Sequence, residues 1–108
     1  PHGVANALLL PVVMEFNAPA ALDKYVLIAK AMNAYDDLMS PEEAAKAAVE
    51  AVRQLSIRVG IPQHLSELGI KEEDLPRLAK AAAADVCTPG NPREVSENDL
   101  LELYKKAY

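Results

Sequence analysis

Apolar positions crowd the start of the chain and fall into helical register after it. Over residues 4–16 the apolar side chains Val4, Ala5, Ala7, Leu8, Leu9, Leu10, Val12, Val13, Met14 and Phe16 leave no polar side to the predicted helix. A helix that is apolar all round belongs inside something. The rest of the chain is expected to surround it only in part, with another domain or chain against its far face. Pro11 is expected to bend this helix or to interrupt one of its hydrogen bonds.

Asn17-Ala18-Pro19 breaks the run. A second helix is predicted over about 20–33, with Leu22, Val26, Ala29 and Met32 as its stripe. Ser40-Pro41-Glu42-Glu43 opens the third. Ser40 suits the N-cap, Pro41 the first helical position and Glu43 the third, which completes a capping box. That helix is predicted to run to about Val59, burying Ala44, Ala45, Ala48, Val49, Val52, Leu55 and Val59, and to end at Gly60.

Ile61-Pro62 begins a short connection containing His64 and Leu65. The acidic run Glu72-Glu73-Asp74, read as a solvated helix start, leads into a helix ending near Ala84. Residues 87–93 hold two prolines and a glycine and read as a loop. Ser96 with Asp99 three residues on is a second cap signature, and the last helix is predicted over 97–107. Sustained alternation and tight hairpin dipeptides are both missing, so strands are not expected. The fold class expected is all-α, a helical bundle forming one domain over 1–108.

Composition narrows the partners. Eleven basic residues are scattered among sixteen acidic ones, for a net charge of −5. Nucleic acid is therefore not expected as a partner, because phosphate backbones need clustered Lys and Arg. The single cysteine, Cys87, forms no internal disulfide framework and fits a reducing, cytoplasmic setting. The opening lacks a basic leader segment. The apolar run reads as too short, and too interrupted by Pro11, to span a bilayer, so no membrane partner is expected. The chain begins without Met, and this opening reads as a seam within a longer protein.

Candidate chemistry is sparse. A Gly-rich phosphate loop, a paired-cysteine metal motif and a nucleophile elbow are all missing from the sequence, which leaves no catalytic and no cofactor-binding candidates. His2 reads as a polar residue at a helix entrance, a metal ligand or a proton shuttle. Its position before Gly3 and a buried-looking helix adds weight to a functional role without deciding for one. One imidazole cannot hold a catalytic metal by itself, so the other ligands would lie elsewhere. His64 reads as a solvated or capping histidine. Cys87 lacks a nearby cation to lower its pKa and reads as a small buried apolar residue. Asn91-Pro92-Arg93 reads as a turn that ties a loop down through the Arg93 guanidinium.

Several segments taken together resemble the iron-dependent alcohol dehydrogenases. They are Pro1-His2-Gly3-Val4-Ala5-Asn6-Ala7, Leu9-Leu10-Pro11, Phe16-Asn17, Val59-Gly60-Ile61-Pro62, the stretch from Asp85 to Cys87, Asn91-Pro92-Arg93, and the closing Asp99-Leu100, Leu103-Tyr104 and Ala107-Tyr108. They occur in order along the whole chain. Among subfamilies the opening and the stretch 85–94 look most like the lactaldehyde-reducing members. Pro89 departs from the smaller residue expected in that loop.

The resemblance implies the C-terminal part of a metal-binding helical domain of the dehydroquinate-synthase-like kind, with the nucleotide-binding domain outside this chain. It implies NAD(P) and Fe(2+), with Zn as an alternative metal. In the family one Asp and three His hold the ion, and His2 matches the last of those histidines. Cys87 falls in a stretch that approaches the substrate pocket, which makes it a candidate lining residue. The implied reaction interconverts short alcohols or diols with aldehydes by metal-assisted hydride transfer, in a homodimer when full length. The chain alone is expected to be inactive and to self-associate through its first helix. Two rivals remain at this point: a stand-alone helical interaction module, and a relative that has lost its metal and acts as a synthase or sensor.

Overall fold

The computed structural model describes residues 2–85 and 90–108, His2 by its backbone. Five α-helices are described: α1 His2–Asn17, α2 Leu22–Ala31, α3 Pro41–Arg58, α4 Leu75–Ala84 and α5 Glu97–Ala107. Short 3-10 turns fall at Ala18–Ala20, Leu65–Leu68 and Glu72–Asp74. Among the described residues there is no strand, so the all-α reading stands.

The apolar first helix is the spine of this arrangement. α2 pairs with α3, α4 pairs with α5, and α1 packs against both α3 and α5. Leu8 joins Leu65, Leu75 and Ala107 in one core cluster. Met14 joins Ala21, Tyr25, Ala45 and Val49 in another. Six residues separate Leu8 from Met14, which sets them about 120° apart round the helix. Two faces of α1 are thus covered from within the chain, and this accounts for much of its unbroken apolar pattern. Leu10 remains about half exposed, at 48%.

α1 continues through Pro11, which sits inside the helix and is buried. The proline removes one hydrogen-bond donor without ending the helix. The stretch Gly3–Ala20 is consequently long and apolar enough to cross a membrane by length and composition, contrary to the reading that Pro11 cuts it short. Leu8, Pro11, Met14 and Asn17 along it are buried among the other helices. Glu15, its one charge, lies 3.8 Å from Arg53 on α3 and 3.9 Å from Lys106 on α5.

Small residues bring α2 and α3 together. Ala29, Ala44 and Ala48 are fully buried against one another, flanked by Val26 and Tyr35. α2 is shorter than predicted because Asn33 takes a left-handed conformation, φ +60°. The backbone N–H of Ala34 donates to Ala29 O at 2.8 Å and that of Asn33 to Lys30 O at 3.2 Å, which closes the helix. α3 closes the same way. Ile61 N–H donates to Ser56 O and Gly60 N–H to Ile57 O, with Gly60 at φ +81°.

The predicted buried stripe of α3 holds only for its first half. Ala44, Ala45, Ala48 and Val49 are buried, whereas Leu55 is 42% and Val59 64% exposed. Ten residues of α2 cover about 15 Å, against about 27 Å for the eighteen of α3, so the last turns of α3 outrun their partner.

Both predicted capping boxes are present. Glu43 N–H donates to Ser40 Oγ at 3.1 Å, and Ser40 N–H donates to Glu43 Oε1 at 3.0 Å. Asp99 N–H donates to Ser96 Oγ at 3.0 Å, and Ser96 N–H donates to Asp99 Oδ2 at 3.0 Å. In each box the backbone N–H of the serine, then its hydroxyl, holds the carboxyl below its ordinary pKa. The caps therefore stabilise the fold fully above the ordinary carboxylate range. That contribution is lost as pH falls through this range toward the lower folded values. Ser40→Ala is expected to cost about 1 kcal/mol. Thermal melts between pH 7 and pH 3 should show a smaller loss of stability on acidification for Ser40→Ala than for the native chain.

Candidate functional site

Two open cavities of similar size flank α1. One, about 800 Å³, lies toward α2 and α3, between Leu22, Ala45 and Val49, with Glu15, Lys46, Glu50 and Arg53 at its polar edge. Glu50 there accepts hydrogen bonds from Gln54 and Arg53, and these, in that order, lower its pKa. The other cavity, about 780 Å³, opens between α1, the end of α4, residues 90–95 and α5. Only this second cleft is lined by segments that the sequence singles out for chemistry.

α1 supplies Asn6, Val13 and Phe16 to the cleft wall. Ten residues from Asn6 to Phe16 make the wall about 15 Å long. Ala82 closes it from α4, Leu100 and Leu103 from α5, and Gly90, Asn91 and Pro92 from the incoming loop. The lining is mostly apolar, with the Asn6 and Asn91 amides and the Asp85 carboxylate as its polar groups. A concave apolar wall with few polar groups is the usual form of a small-molecule site.

The far end of this wall is tied together by three side chains. Asn17 Nδ2 donates to Asn91 Oδ1 at 2.7 Å, and Asn91 Nδ2 donates to Asn17 Oδ1 at the same distance. Asn91 Nδ2 also donates to Arg93 O at 2.6 Å. The Arg93 guanidinium donates to Phe16 O at 2.8 Å and stacks 4.1 Å from the centre of the Phe16 ring. Phe16 O is one of the carbonyls that a helix end leaves without a partner, and a cation suits that negative end. The bond is charge-assisted and worth roughly 1.5–3 kcal/mol, with about 0.5–1 kcal/mol more from the stacked ring. Arg93 does tie down the loop, as its motif suggests. The charge of Arg93 also adds, behind the two Ser96 hydrogen bonds, to the lowered pKa of Asp99.

The candidates from sequence fall around this cleft unevenly. His2 is the first residue of α1, one helical turn before Asn6. Cys87 lies outside the described residues; Asp85 and Gly90, which bracket it in the chain, both line the cleft. His64 is exposed and lines neither cavity. Its backbone N–H donates to Glu67 at 2.9 Å, so it serves the Leu65–Leu68 turn. Among the described residues no three His, Cys, Asp or Glu side chains form a metal cluster. The described residues alone make no metal site. Gly3 beside His2 is exposed.

The Asn17–Asn91 pairing was not legible in the sequence. Both residues stand in recognised segments, yet 74 positions separate them. Asn17 is 6% exposed, so its amide depends on that partner. Asn91→Ala is expected to cost about 1–3 kcal/mol by leaving the buried amide unpaired. Urea unfolding should show a lower midpoint with an unchanged slope.

The sequence pattern of the Fe-containing alcohol dehydrogenase family, C-terminal region, matches residues 1–108. The chain is 55% identical to lactaldehyde reductase of Escherichia coli (strain K12) and 43% identical to 1,3-propanediol dehydrogenase of Citrobacter freundii, each over 108 residues. All of the chain is covered in both, against 28% of each relative, so it spans little more than a quarter of their length. A crystal structure of 1,3-propanediol oxidoreductase superposes on the whole chain with a TM-score of 0.97 at 41% identity, again over 28% of that protein. The alcohol dehydrogenase from Oenococcus oeni follows with 0.95 at 36%, covering the whole chain and 28% of that structure. Matched from its first residue to its last in sequence and in fold, the chain belongs to the Fe-containing alcohol dehydrogenase family.

Proposed function

We propose that the chain is the C-terminal part of the helical, metal-binding domain of an NAD(P)-dependent, iron-dependent alcohol dehydrogenase. Its reaction interconverts short alcohols or diols with aldehydes, of the lactaldehyde and 1,2-propanediol kind, by hydride transfer. The observation that carries this reading is 55% identity to a lactaldehyde reductase along the whole chain. The 1,3-propanediol and NAD-dependent methanol dehydrogenases among its relatives support the broader substrate class.

His2 is proposed as one metal ligand, with the remaining donors and the nucleotide site supplied from outside these 108 residues. Bound iron would supply Lewis-acid polarisation of the substrate oxygen. The chain's own part is to present His2 on the rigid end of α1 and to line the organic side of the site. Val13, Phe16, Leu100 and Leu103 offer an aliphatic chain an apolar wall and exclude water from it. Cys87 is proposed, from the family resemblance, to line the substrate pocket. Alone the chain is proposed to be inactive. The full enzyme is proposed to be a cytoplasmic homodimer acting on small molecules, without nucleic-acid or membrane partners.

A helical interaction module without activity is the alternative, and the exposed Leu27, Leu55 and Val59 favour it. One assay separates the two. The complete reading frame, expressed anaerobically with ferrous iron, should oxidise NADH or NADPH with lactaldehyde. His2→Ala should lose bound metal and at least about 100-fold in activity, since losses of mere supporting groups already reach that size. Acidification should release metal from the native enzyme, because only the neutral imidazole binds it. A native protein that binds no metal and reduces no aldehyde would sink the dehydrogenase reading.

A further inference from the structure

We infer that Arg93, with the Asn17–Asn91 amide pair, is a positioning device that sets the shape of the cleft wall and thereby the affinity for substrate. The inference rests on the reading of this cleft as the substrate side of the site.

Phe16 and Asn91 both line the cleft, and both are held by groups that take part in one connected set of bonds. Arg93 covers the Phe16 ring at 4.1 Å while its guanidinium holds Phe16 O at 2.8 Å, so ring and backbone are fixed by one planar group. Asn91 is held at both ends of its amide, by Asn17 at the end of α1 and by Arg93 O within its own turn. The wall formed by Gly90, Asn91 and Pro92 is thereby pinned to the end of α1. Loop residues ordinarily move more than helices. Here the loop takes its position from the helix that also carries His2, so both sides of the site share one frame.

Arg93 itself does not line the cleft. It acts through Phe16 and Asn91, and its loss should therefore weaken substrate binding more than it slows the chemistry. In the complete, iron-loaded enzyme, Arg93→Ala is expected to raise KM for the aldehyde about tenfold with kcat within about twofold. Arg93→Lys keeps the charge but lacks the flat guanidinium, and should fall between the two. It also replaces Arg93→Ala as the variant to read if the latter fails to fold. Ser40→Ala is the control, because it weakens a helix cap on α3 away from the cleft. It should lower the melting temperature and leave KM unchanged.

A raised KM in the Arg93 variants, with native metal content and no such change in Ser40→Ala, supports the positioning role. A lower melting temperature with KM unmoved in both Arg93 variants overturns it and leaves the dehydrogenase reading intact. Equal rises in KM for Ser40→Ala and Arg93→Ala also overturn it, since general loosening would then suffice. A native enzyme that reduces no aldehyde overturns the inference together with the reading beneath it.

Discussion

Helix α1 has to be covered on two faces at once, and the other four helices are arranged to do it. Leu8 points the helix into one core and Met14 into another, about a third of a turn apart. Neither pair of helices could bury α1 alone. The α2–α3 pair closes on it through Tyr25, Ala45 and Val49, and the 3-10 turns with α4 and α5 close through Leu65, Leu75 and Ala107. Burying a leucine of this kind stabilises a fold by about 1.5–3 kcal/mol, so the two contacts matter to the whole chain. The Glu15 carboxylate at the seam, between Arg53 and Lys106, adds little by comparison, because all three side chains keep a third or more of their surface in water.

That constraint also places the site. A helix held from two sides is a rigid rod of about 24 Å, and the candidate site residues are distributed along it. His2 stands at its start, Asn6 and Val13 line the cleft along its middle, and Phe16 and Asn17 receive the returning loop at its end. The unpaired carbonyls of the helix end and the buried Asn17 amide are liabilities of α1 itself. Arg93 and Asn91 answer both, which couples the closing of the helix to the shaping of the cleft.

The local elements were legible in the sequence wherever a bond is made between near neighbours. The boxes at Ser40 and Ser96 and the stop at Gly60 are such cases, and the predicted start and end of α5 agree with the observed Glu97–Ala107. The misreadings along α3 share one cause. Leu55 and Val59 follow the helical stripe but lie beyond the end of α2, and nothing in their spacing reveals the length of a partner helix. Pro11, expected to bend α1 or to interrupt one of its hydrogen bonds, sits inside a helix that continues through it.

The sequence by itself determined the helical class, the caps and turns, and the resemblance that puts His2 at a helix start, because each is written in residues a few positions apart. The tertiary structure alone decided which faces of α1 meet which helices. It alone joined Asn17 to Asn91 across 74 positions and brought Arg93 onto Phe16 across 77. Such contacts depend on where rigid helices come to rest against one another, and side-chain periodicity along a single helix carries no record of that.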